Sequence, residues 1–134
     1  MKRFSIILAV IGLVTLSNLN AQENTTDKIK WISFEEAVKL NETTPKKIII
    51  DVYTEWCGWC TKMDQTTFID PSVVKYINEN YHAVKLDAEQ TEPIEFMGYT
   101  FVNQNPSGAR KGTHQLAQAL LQGKMSYPSY VFMN

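Results

Sequence analysis

Apolar residues cluster most densely at residues 46–54, where Ile48-Ile49-Ile50 and Val52-Tyr53 are β-branched or aromatic and nearly unbroken. Such a run predicts a strand covered on both faces and central in its sheet. Before it, Ile29-Lys30-Trp31-Ile32 predicts a short strand. Ser33 stands three residues ahead of Glu36, the capping-box spacing that opens a helix, and the stripe Phe34, Ala37, Val38 and Leu40 is its expected buried face. After the central strand, residues 54–60 read as a turn and 61–68 as a helix that no Pro or Gly interrupts. Asp70-Pro71 restarts the helical signal, with Val73, Val74, Tyr76 and Ile77 at helical spacing. Residues 81–88 predict the next strand, and 94–102 alternate about Gly98 as a small hairpin. Residues 103–112 are loop-like, and Thr113 is placed to cap a helix through Leu116, Ala117, Leu120 and Leu121 that stops at Gly123. Tyr130-Val131-Phe132, preceded by Pro128, reads as a last strand. Strands alternating with helices imply βαβ connections and a partly parallel sheet, hence an α/β sandwich.

The first residues follow a different rule. Lys2 and Arg3 precede an apolar run at 4–16 and a polar stretch ending in Leu19-Asn20-Ala21, the order of a secretory signal peptide over residues 1–21. The run is shorter than the roughly 20 residues a membrane-spanning helix needs, so no membrane association is expected after cleavage. Residues 22–28 are polar without an apolar period and read as a flexible lead-in, leaving 29–134 as the folded domain. A chain of 134 residues supports one domain of ordinary size. Its 13 basic and 14 acidic residues nearly balance; losing Lys2 and Arg3 leaves 11 against 14, a formal charge of −3. That balance supplies no electrostatic reason for nucleic acid or an anionic membrane as partner. Export to the periplasm or beyond would put the chain where disulfides persist.

There are two cysteines, Cys57 and Cys60. A disulfide closing so short a loop constrains the unfolded chain by only roughly 2 kcal/mol, which makes it a poor staple. As a redox pair it is better placed. A strand running into a helix puts the first sulfur at the helix N-terminus, where unpaired N–H groups and the macrodipole favour a thiolate. An ordinary thiol with pKa about 8.5 is only about 3% thiolate at neutral pH, and lowering it to about 7 makes about half of it reactive. Cys57 is therefore the expected nucleophile, and Cys60, one turn on, the thiol that resolves a mixed disulfide. A structural disulfide and a metal site are the alternatives. Metal is the harder to complete, because a closed zinc site needs four ligands and the other soft candidates, His82 and His114, lack finger-like spacing. Both histidines are expected as surface or packing residues. No metal and no cofactor is predicted.

The run from Ile50 through Asp51, Trp56, Cys57, Gly58 and Trp59 to Cys60, taken with Tyr127-Pro128 ahead of a terminal strand, resembles the active-site strand and turn of the thioredoxin superfamily, and in particular its secreted thioredoxin-like members. The resemblance implies a thioredoxin-like three-layer α/β/α sandwich and a thiol-disulfide oxidoreductase acting on protein thiols and disulfides with a separate redox partner. Asp51 then matches the family's buried acid, which moves the proton of the resolving thiol, and burial would raise its pKa. Lys85 matches the lysine near that acid, although on spacing alone it reads as a solvated strand residue. Pro128 matches the family's cis-proline, and Tyr127 would present backbone groups to an extended substrate. Trp56 and Trp59 would flank Cys57 as apolar contact surface. Two departures stand out. Trp59 replaces the Pro of thioredoxins and the His of disulfide isomerases, and enzymes with this spacing span roughly 150 mV, so the direction of electron flow is open. The family also adds a strand and a helix after the strand that follows Pro128, so a C-terminally truncated domain is expected, with residues 130–133 as a bare edge. The competing function is a non-catalytic binding module built on Trp56, Trp59, Tyr127 and Pro128, and a third is metal trafficking.

Overall fold

In the computed structural model, which describes residues 28–107 and 111–134, the densest apolar run forms the strand Lys47–Tyr53 (β2). It is central, as its composition requires. β2 pairs in parallel with Tyr81–Asp87 (β3), which pairs in parallel with Trp31–Ile32 (β1), while Ser129–Met133 (β6) adds antiparallel to the other side of β2, giving the order β1-β3-β2-β6. Ile94–Phe96 (β4) and Tyr99–Phe101 (β5) form a separate hairpin. Met97 and Gly98 both take positive φ, 52° and 78°, as a tight two-residue turn demands. The signal segment and most of the lead-in lie outside the described residues. Among those described, no helix is long and apolar enough to cross a membrane.

Alternation along β2 divides the core. Ile48, Ile50 and Val52 join Val84 and Leu86 of β3 on one face, packed against Phe34 and Ala37 of Phe34–Thr43 (α1) and Leu116 and Ala117 of Gln115–Leu120 (α4). Ile49 and Ala83 meet Phe68, Val74 and Ile77 on the other face, from the 3₁₀ turn Thr67–Ile69 and the helix Pro71–Asn80 (α3). The sheet thus lies between two helical layers.

Several local expectations are met and several are not. Ser33 caps α1 by accepting the Glu36 N–H, and Asp70 caps α3 by accepting those of Ser72 and Val73. Leu40 is 40% exposed and Tyr76 faces solvent, because the layers close over only the inner part of each predicted stripe. The helix after the turn starts at Gly58, not residue 61, and ends at Gln65 (α2), followed by the 3₁₀ turn. His114, not Thr113, caps α4: its Nδ1 accepts the Leu116 N–H at 3.2 Å and its Nε2 meets the Glu92 carbonyl at 3.1 Å. Burial lowers its pKa, consistent with a neutral ring wedged into the core. His82 is also buried, held by the Thr44 carbonyl at 2.7 Å.

The split between core and rim is testable. Ile50→Ala, on a fully buried side chain, is expected to cost about 3–4 kcal/mol in urea unfolding, and Leu40→Ala less than about 1 kcal/mol. Similar losses at both sites would contradict this packing.

Candidate active site

The site grows from the place where β2 leaves the sheet. Beyond Tyr53 the chain turns through residues 54–57, with the Cys57 N–H donating to the Thr54 carbonyl at 3.1 Å, and enters α2. Cys57 is the N-cap of that helix. Its backbone is extended, its carbonyl accepts the Thr61 N–H at 3.2 Å, and its Sγ accepts the Cys60 N–H at 3.1 Å. A sulfur takes here the place normally held by a Ser or Asp oxygen, at the helix end that favours negative charge. Cys57 and Cys60 are joined in a disulfide. Both sulfurs are more enclosed than a surface turn suggests, since Cys57 is 5% exposed in this oxidised form. Its neighbours Trp56 and Trp59 are 68% and 74% exposed, so the pair lies just beneath the surface rather than deep in the core.

Trp56 is held on both sides. Its Nε1–H donates to Glu89 at 2.9 Å, and its ring meets the edge of Tyr127 at 5.8 Å. That contact brings the Tyr127-Pro128 segment, whose peptide bond is cis, to the flank of the cysteine turn. Sequence-distant residues Cys57, Trp56, Tyr127 and Pro128 therefore share one end of the sheet. Trp59 stands on the first turn of α2, exposed.

Asp51 lies on the face of β2 that Ile49 occupies, two residues along, and is 1% exposed. It sits in register with Lys85 on β3 and with Tyr130 on β6. Lys85 Nζ is 3.2 Å from Asp51 Oδ2. Burial pushes the Asp51 pKa up, against the lowering pull of Lys85. Asp51 Oδ1, Thr54 Oγ1 and the Tyr130 hydroxyl are buried without a hydrogen-bond partner among the described residues. Tyr130 is pushed up to about 12, by burial first and by the charges of Asp51 and Asp64 after it.

Lys85 is not the solvated strand residue that its spacing suggests. Its ammonium also contacts both carboxylate oxygens of Asp64, at 2.5 and 2.6 Å, and lies over the rings of Trp31 and Tyr53. Burial alone would lower the Lys85 pKa, but its two carboxylate partners outweigh it and the pKa is raised. Asp64 escaped the sequence reading. The signal was available, since Asp64 follows Cys60 by four residues and so shares its face of α2.

Fold and site together define a thioredoxin-fold protein with a disulfide-bonded Cys-x-x-Cys pair at a helix N-terminus, which supports a redox role. Solved structures agree on the fold. A thioredoxin from Thermus thermophilus aligns with a TM-score of 0.54 at 15% identity, covering 78% of this chain and 64% of that one. A structure described as DsbH Oxidoreductase aligns at 0.54 and 22% identity, covering 87% of this chain and 73% of that one. The chain belongs to the Thioredox_DsbH family, described as a protein of unknown function, DUF255, whose model matches residues 15–109. It is also similar to spermatogenesis-associated protein 20 of Mus musculus, 30% identical over 87 residues that cover 63% of this chain and 10% of that protein. The Caenorhabditis elegans protein named uncharacterized protein B0495.5 is 26% identical over 81 residues, 60% of this chain and 11% of that one. The chain thus spans about a tenth of the length of the curated relatives it matches.

The buried carboxyl makes stability depend on pH. Because the folded pKa of Asp51 is raised, its favourable contribution is complete below the unfolded carboxylate pKa and is lost as pH rises through the folded value. Lys85, with its pKa raised, keeps its charge throughout this window. Asp51→Asn is therefore expected to match the wild type in urea unfolding at about pH 4 and to exceed it at about pH 8, by about 1.4 kcal/mol for each pH unit of displacement. A variant that loses ground as pH rises would contradict the burial argument.

Proposed function

We propose that this chain is an exported thiol-disulfide oxidoreductase that exchanges electrons with protein disulfides through Cys57 and Cys60. The observation that carries the reading is the Cys57 sulfur as N-cap of α2, accepting the Cys60 N–H. Once the pair is reduced, the same N–H and the helix end stabilise a Cys57 thiolate over the thiol. In the reductive direction that thiolate attacks a substrate disulfide, one S–S bond breaks as a mixed disulfide forms, and the first substrate sulfur leaves as thiolate. Cys60 then gives up its proton, with Asp51 as acceptor, and attacks Cys57 Sγ. The second substrate sulfur leaves and takes up a proton, and the chain holds the Cys57–Cys60 disulfide. Two electrons have passed to the substrate, and a separate dithiol partner must return them. Read backwards, the same steps donate a disulfide.

Trp56, Trp59, Tyr127 and Pro128 form the substrate-facing rim in this reading, with exposed indoles as apolar contacts and the Tyr127-Pro128 backbone as a partner for an extended peptide. Lys85 supports Asp51. Export rests on the charged, apolar and small-residue order of residues 1–21, and places the mature chain in the periplasm or outside the cell.

The exposed Trp56 and Trp59 also favour a second reading, a binding module that does not turn over. Insulin reduction driven by a dithiol separates the two. Cys57→Ser is expected to lower the rate at least about 100-fold, and Cys60→Ser to accumulate mixed disulfides that Cys57→Ser does not form. Wild-type turnover in Cys57→Ser defeats the enzyme reading, and partner binding that survives loss of both sulfurs supports the module. N-terminal sequencing of the protein recovered outside the cytoplasm is expected to start at Gln22. Recovery of intact chain from the cytoplasm alone would refute export.

A further inference from the structure

Asp64 has no part in the mechanism above, yet it makes the closest charged contact at the site. Lys85 approaches two carboxylates unequally, at 2.5 and 2.6 Å to the two oxygens of Asp64 and 3.2 Å to a single oxygen of Asp51. The rings of Trp31 and Tyr53, with centroids 5.3 and 4.9 Å from Nζ, bracket the ammonium. Asp64, Lys85, Trp31, Tyr53 and Phe68 line one cleft of about 460 Å³. One cation is thus divided between an outer carboxylate, 41% exposed, and an inner one at 2%. Ionising both leaves net negative charge, and the inner group bears the greater desolvation cost with one oxygen unpartnered.

We propose that Asp64 is a positioning residue that draws the Lys85 ammonium outward and thereby weakens its hold on the Asp51 carboxylate, leaving that carboxyl able to hold and release a proton. The proposal rests on the oxidoreductase reading for its use, though not for its test. The other groups facing Asp51 do not replace Asp64 in this role. Tyr130 on β6 stays neutral well above physiological pH, and Tyr53 lies along β2 with its own pKa raised by burial. On α3, Lys75 and Glu79 pair with each other in solvent at 3.9 Å. The Cys57–Cys60 disulfide carries no charge. Asp64 raises the Asp51 pKa directly as a like charge, and geometrically by holding its counter-ion.

The test is a carbon-13 NMR titration of the Asp51 carboxyl in the oxidised protein, which needs no turnover. In Asp64→Asn, Lys85 closes on Asp51, and the midpoint is expected to fall by roughly one pH unit. Asp64→Glu, which keeps the charge, is expected to restore the wild-type midpoint, and Asp64→Ser repeats the neutral case if the Asn variant misfolds. An unmoved or rising midpoint in the neutral variants overturns the proposal and leaves Asp64–Lys85 an ordinary half-exposed ion pair. If the midpoint falls while the wild-type protein reduces no insulin, the proposal stands and the oxidoreductase reading fails.

Discussion

The structure depends on β2 being covered on both faces. A strand sandwiched between two helical layers can hold a carboxylate only if a cation comes in with it, because an unpaired ionised group there costs several kcal/mol. Asp51 breaks the apolar run of β2, and β3 supplies Lys85 in register. The same strand, on leaving the sheet, delivers the chain to the N-terminus of α2 and so sets Cys57 where a helix end is short of acceptors. One element therefore positions both the buried acid and the sulfur.

Around that element the site is assembled from distant pieces. The parallel pairing of β2 with β3 places Lys85, and the antiparallel return of β6 brings Tyr130 beside Asp51 and carries Pro128 to the end of the sheet where Cys57 lies. Asn103 ties the loops behind the site together, its side-chain N–H groups donating to the carbonyls of Glu89, Gln90 and Gly112. Glu89 is in turn the acceptor for Trp56. The apolar rim beside the cysteines is thus anchored through polar contacts on a loop whose residues carry no catalytic signature.

Proximity to the surface and enclosure are both present at the cysteine pair. Cys57 is nearly covered in the disulfide form, while Trp56 and Trp59 are among the most exposed large apolar side chains of the described residues. The disulfide therefore lies just under a surface that carries these two exposed indoles. Membership of the Thioredox_DsbH family and the thioredoxin fold are in keeping with this arrangement.

Local chemistry was legible in the amino-acid order wherever one residue and its near neighbours decide the outcome. The apolar density of 48–53 made a central strand, Ser33 made a helix cap, Asp70-Pro71 made a helix start, the alternation about Gly98 made a hairpin, and the three-residue spacing of Cys57 and Cys60 made a helix-end pair. Tertiary structure alone decided which predicted stripe positions were covered, so that Leu40 and Tyr76 lie outside, and which polar groups were forced into company, so that Lys85 serves two carboxylates and His114 takes the capping role expected of Thr113. The reason is physical. Backbone propensity acts over a turn or less, whereas burial and ion pairing are set by segments tens of residues away that arrive only when the sheet closes.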